Sequence, residues 1–179
     1  MKRIRTRIAP HWDTIELIVP VHFSDVDSMK LVWHGHYLRY CEDAREAYCA
    51  ARGLSYKTME DEACVAPVAR LQIEYLAPAR MGYHLLVRCG RQPGTEPYLN
   101  LVYEISGPVR PIAPDGSGST AVVASPAPAD LWPPRLLCVC ETVQVFIDVS
   151  GQPYLSAPPP VERFFAAIAA CEQARAGAR

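Results

Sequence analysis

Residues 23–37 place two carboxylates (Asp25, Asp27), two imidazoles (His34, His36) and the rings of Trp33 and Tyr37 within fifteen positions. A loop carboxylate can act as general base toward water, or can attack a carbonyl carbon itself. A helix that starts just beyond it adds a second element. Its first amides lack intrahelical acceptors and carry the positive end of the macrodipole, so they can hold a developing oxyanion. Loop aspartates also serve commonly as turn or cap residues, and the residue types alone leave both roles open for Asp25 and Asp27. His34 and His36 without further ligands make a weak metal site, and no metal is expected.

The elements around this stretch can be read from periodicity. Ile15, Leu17, Val19, Val21 and Phe23 alternate as one face of a strand. From Tyr37 the period becomes helical, with Tyr37, Cys41, Ala44, Tyr48 and Ala51 as an apolar stripe. Arg39, Glu42, Asp43, Arg45 and Glu46 fall largely outside the stripe, and Gly53 suits the helix end. The reactive stretch therefore joins a strand to a helix spanning 37–52. Further strands are expected at 69–75, 84–89, 99–105 and 140–149, then a terminal helix over Val161–Arg175 entered through Pro160. One strand, one long helix and then a run of strands predict an α+β fold with a mostly antiparallel sheet.

Residues 107–135 break this rhythm with seven prolines and a Gly-Ser stretch. Proline removes ladder donors, so the segment reads as a long insertion, with 121–124 as a short strand piece.

With 179 residues, half of them apolar, the chain fits one domain over 1–179. Its formal net charge of -1 excludes the basic excess of a nucleic-acid-binding surface. Lys2, Arg3, Arg5 and Arg7 read as a solvated, frayed end. No apolar run reaches the roughly 20 residues of a membrane span, and no secretory leader pattern is present. The seven cysteines form no CxxC pair and read as buried thiols, which predicts a reducing, cytoplasmic location.

The string Asp25-Val26-Asp27, followed by Val32-Trp33-His34-Gly35-His36-Tyr37, resembles the D-x-D-x(4)-V-[WY]-[HY]-x-x-Y signature of 4-hydroxybenzoyl-CoA and YbgC-type thioesterases. The stretch from Ile73 through Pro78, Ala79 and Arg80 to Gly82 resembles the family's strand ending in "PAR". Residues 140–152 and the prolines after them resemble its last strand and C-terminal helix. The resemblance covers most of residues 15–165 and implies the hotdog fold, an antiparallel sheet wrapped around one long helix.

It also implies an acyl- or aryl-CoA thioesterase, with an acyl-carrier-protein thioester as a close variant. Asp27 falls on the catalytic carboxylate, as general base or nucleophile, and the His34 backbone amide falls on the oxyanion donor. Asp25 and His36 are structural in this scheme. Trp33 and Tyr37 pack under the loop or line the acyl pocket, and Arg80 and Arg91 are candidates for CoA phosphate contacts. No cofactor is implied, since CoA is part of the substrate, and a homodimer or homotetramer is expected. A non-catalytic acyl-CoA-binding module of the same fold is the alternative. The insertion departs from the short hairpin usual in the family, so substrate specificity does not carry over.

Overall fold

The computed structural model describes residues 4, 6–109, 121–123 and 134–177, with residues 121–123 and 175–177 as backbone alone. In chain order the elements are β1 (Thr14–Pro20), α1 (His36–Ala50), α2 (Tyr56–Asp61), β2 (Cys64–Val65), β3 (Val68–Tyr75), β4 (His84–Arg91), β5 (Leu99–Gly107), β6 (Ala121–Val123), β7 (Arg135–Gln144), β8 (Ile147–Asp148) and α3 (Pro159–Gly177). Six strands form an antiparallel sheet in the order β3-β7-β5-β4-β1-β6, and β2 pairs separately with β8.

The sheet closes over α1. The helix turns Tyr37, Tyr40, Cys41, Ala44 and Tyr48 inward, each no more than 3% exposed. They join Leu17, Leu85, Val87, Cys89, Leu101, Tyr103, Ile105, Cys138 and Cys140 in one core cluster. Burial of each large apolar side chain stabilises the fold by about 1.5–3 kcal/mol, which makes this stripe the main anchor of the helix. Gly53, at φ +79°, ends the helical segment in the left-handed conformation glycine tolerates. The α3 helix packs Phe164 edge-on against Tyr48, with ring centroids 6.2 Å apart.

The hotdog architecture expected from the motif is present, and several local expectations are corrected. Phe23 leaves the β1 face for a short 3-10 turn and is 84% exposed. Ala51 lies outside α1 and is exposed. The pattern read as one strand over 140–149 begins earlier, at Arg135, and breaks after Gln144. Its deeply buried face carries Thr142 and Gln144, where the Gln144 amide and the Tyr103 hydroxyl both reach the Thr142 hydroxyl. Residues 8–12, just ahead of β1, pack against the sheet. The Ile8 amide donates to Glu104 Oε1 at 3.1 Å, and Ile8 and Trp12 cover Val102 on the outer face of the sheet. Arg7 is exposed, whereas Lys2, Arg3 and Arg5 lie outside the described residues.

Within the insertion, Gly107 ends β5, Arg135 begins β7, and the strand piece expected at 121–124 is described over 121–123, where β6 pairs with β1 at one sheet edge. Residues 110–120 and 124–133 lie outside the described residues. At the other edge, among the described residues, β3 pairs on one side only, with β7. Val68, Leu71 and Tyr75 on β3 are each at least 40% exposed. Six of the seven cysteines are buried free thiols, and Cys171 is exposed. Among the described residues, no helix is long and apolar enough to cross a membrane.

Candidate active site

The loop between β1 and α1 is organised by Asp25, which is fully buried. Its carboxylate accepts from the His22 amide at 2.9 Å and the Tyr40 hydroxyl at 3.0 Å, and it pairs with Arg39. Burial pushes its pKa up, but the bonds from His22, Tyr40 and Arg39 outweigh that, and the net displacement is downward. The Asp25 carbonyl accepts from the Trp33 amide and from His36 Nδ1, both at 2.9 Å. One residue thus pins both ends of the loop to the first turns of α1. This is the structural role expected for Asp25, and His36 serves the same scaffold.

Asp27 is placed differently. Only its Oδ1 is used by the loop, accepting from the Met29 amide at 2.8 Å and the Leu31 amide at 3.2 Å. Among the described residues, Oδ2 has no partner. The loop turns back through Lys30, at φ +60°, and the Asp27 amide donates to the Leu31 carbonyl at 2.8 Å. The carboxylate is therefore oriented through one oxygen, with the other left available to a proton or a carbon.

The start of α1 lies on the same loop. Trp33 and His36 use their amides in turn contacts, but among the described residues the amides of His34 and Gly35 meet no acceptor. The indole of Trp33 folds back over Gly35 and stands 4.6 Å from the His34 ring, centroid to centroid. Tyr37 is 3% exposed, and its hydroxyl accepts from the Ala79 amide at 2.9 Å, so it packs beneath the loop. Trp33, at 49% exposure, faces solvent.

Arg80 is brought to this cluster, because Leu31 and Arg80 form an isolated antiparallel bridge and the Met81 amide donates to the Lys30 carbonyl. Arg91 is not. It sits at the far end of β4, seven residues or roughly 23 Å along the strand from His84. There it is 3% exposed, stacked 4.8 Å from the Phe165 ring centroid and paired with Glu96. Sequence reasoning missed Tyr75, whose hydroxyl donates to the His34 carbonyl at 2.9 Å. Periodicity placed it on a strand, but nothing local signals a bond to a residue 41 positions away.

At the opposite end of β3 lies a cavity of about 480 Å³, lined mostly by apolar groups that include Met59, Val65, Pro67 and Val149, with Arg45 and Tyr56 at its wall.

A family model described as the thioesterase-like superfamily matches residues 21–168. The chain is 31% identical over 64 residues to the putative acyl-CoA thioesterase YneP of Bacillus subtilis, covering 36% of this chain and 46% of that protein. It spans about half the length of the curated relatives it matches. Among solved structures, it superposes on Slr0204, a 1,4-dihydroxy-2-naphthoyl-CoA thioesterase from Synechocystis, with a TM-score of 0.64. That match has 20% identity and covers 86% of this chain and 96% of that one. Protein SAV2348 of Staphylococcus aureus, solved in complex with CoA, gives a TM-score of 0.68 at 16% identity, covering 93% and 89%.

Proposed function

Because the chain belongs to the thioesterase-like superfamily, we propose that it hydrolyses an acyl or aryl thioester of CoA, with Asp27 as the reacting carboxylate. The observation that carries this reading is the half-used Asp27 carboxylate beside a helix start with two unoccupied amides.

Water is the only co-reactant the reaction needs. In the general-base route, Asp27 Oδ2 takes a proton from water as the water oxygen bonds to the thioester carbon. The carbonyl π electrons move to oxygen, and the resulting oxyanion accepts from the His34 amide. Collapse of the tetrahedral intermediate breaks the carbon–sulfur bond and releases the thiolate, which takes a proton. In the nucleophilic route, Oδ2 bonds to the carbon directly, and the carbon–sulfur bond breaks to release the thiolate, which takes a proton. Water then cleaves the anhydride to the free acid and the Asp27 carboxylate. Arg80, and Trp33 over the helix start, are assigned to substrate contact, Arg80 by charge toward a CoA phosphate. Tyr37 supports the site from below.

The same reading includes self-association. Among the described residues the β3 edge is unpaired on one side, and it carries exposed apolar residues, the arrangement that accepts a second strand. Two β3 strands paired antiparallel about their midpoints would set Val68 of one chain near Tyr75 of the other. The 480 Å³ cavity of one chain would then approach the helix start of its partner, which suits it to an apolar acyl group. Light scattering that finds only a 19.8 kDa species at micromolar concentration would remove this part of the proposal.

A thiol-release screen over short, long, branched and aromatic CoA esters tests the reaction. Turnover of at least one ester is expected. Tight binding of CoA esters with no thiol release from any of them would instead identify a binding module. Release only from acyl-carrier-protein esters would move the substrate to the carrier-protein class.

A further inference from the structure

The helix start is held from a distant strand. Tyr75, on β3, donates its hydroxyl to the His34 carbonyl at 2.9 Å. Its ring stands edge-on to Tyr37, with centroids 5.3 Å apart at 75°, and edge-on to His34 at 6.5 Å and 81°. Tyr37 is buried and fixed by its own bond from the Ala79 amide, so Tyr75 rests on a rigid support.

The His34 carbonyl and the Gly35 amide belong to one planar peptide unit and point in opposite directions. Holding the carbonyl therefore fixes where the Gly35 N–H points. Gly35 has no side chain to restrain that peptide, and before α1 begins no intrahelical bond restrains it either. The Tyr75 hydroxyl is the side-chain contact that sets its plane.

We propose that Tyr75 is a positioning residue for the oxyanion site, orienting the His34–Gly35 peptide so that the Gly35 amide joins that of His34 as a donor to the thioester oxygen. This rests on the reading of the site as a thioester hydrolase. Tyr75 acts through the backbone and does not touch the reacting atoms. Because it projects from the open sheet edge, the same strand that would receive a second chain also steadies the helix start.

The test is Tyr75→Phe, which keeps the ring and its packing but removes the donor. It is measured on the best CoA ester and on two unreactive CoA ligands, at a temperature where melts show the variant folded. One ligand is a trifluoromethyl ketone, which can present an oxyanion, and the other is a thioether, which cannot. The variant should lose about 10-fold or more in kcat with KM nearly unchanged, within the range set by loss of a whole oxyanion donor. Affinity for the ketone should fall by a similar factor, while affinity for the thioether holds.

Wild-type kcat in Tyr75→Phe, beside an inactive Asp27→Asn, would overturn the positioning role and leave the thioesterase reading standing. Equal loss of affinity for both ligands would also overturn it, by assigning Tyr75 to general binding. A wild-type protein that releases no thiol and binds the ketone no better than the thioether would remove the reading and this inference together.

Discussion

Trp33 lies across Gly35 so closely that a β-carbon there would overlap the indole, with Cε3 at 2.6 Å and two other ring atoms nearer still. Gly35 has φ -67° and ψ -27°, which alanine adopts freely, so the glycine is required by the ring above it and not by backbone strain. Gly35→Ala should then leave the melting temperature nearly unchanged but displace Trp33 from the helix start. Tryptophan emission should shift, and thioester turnover should fall by about 10-fold or more through mispositioning. An unaltered spectrum with an unaltered rate would mean that the indole moves aside without consequence.

Asp27→Asn keeps an Oδ1 that can accept from the Met29 and Leu31 amides, so the loop should persist. The amide can neither take a proton from water nor form an anhydride. The expected fall in kcat is about 10²–10⁴-fold with KM held, since the lost contribution acts in the transition state. Thiol release at the wild-type rate would show that Asp27 is not the reacting group.

At His34 the contribution is assigned to the backbone. His34→Ala should retain most of its turnover, because the N–H remains. His34→Pro should abolish it, because proline has no N–H, while a helix start tolerates proline nearby. Circular dichroism confirms the fold of each variant. An inactive, folded alanine variant would assign the chemistry to the imidazole instead.

Asp25→Asn should act on stability, by about 2 kcal/mol for hydrogen bonds to a buried charge, or roughly 4–8 °C in Tm. The sign with pH follows from the downward displacement of the Asp25 pKa. Its stabilisation is fully present above the unfolded value, near 3.8, and is lost as pH falls through the lower folded value. The stability gap between wild type and Asp25→Asn should therefore be constant near neutrality and shrink below about pH 4. Denaturation midpoints across pH 2–7 read this, and a gap that widens in acid would contradict the assigned charge network.

The α1 stripe and the D-x-D loop were legible because they are local: spacing puts Tyr37, Cys41, Ala44 and Tyr48 on one face whatever they meet. Arg45 defeated the pattern. It falls among the charged positions, yet it is 9% exposed, because Glu42 and the Tyr56 hydroxyl satisfy its guanidinium. The α2 helix carried a readable signal, since the Ser55 hydroxyl caps it by accepting from the Thr58 amide at 3.1 Å. On β7 the alternation was legible but not which side would be buried. Thr142 and Gln144 point inward because their polar groups bond to each other and to Tyr103, a partnership that no single-strand pattern contains. Arg91 fails for a related reason: position on a strand says nothing about which helix covers it, and here α3 does.

The buried thiols have a consequence for how openings of this chain can be counted. In the folded protein Cys171 alone offers its sulfur to an alkylating reagent, while global unfolding presents all seven. Pulsed alkylation followed by intact mass would therefore sort molecules into two discrete populations, one adduct or seven. Intermediate counts would reveal a partial opening, and the residue modified would name the layer that came apart.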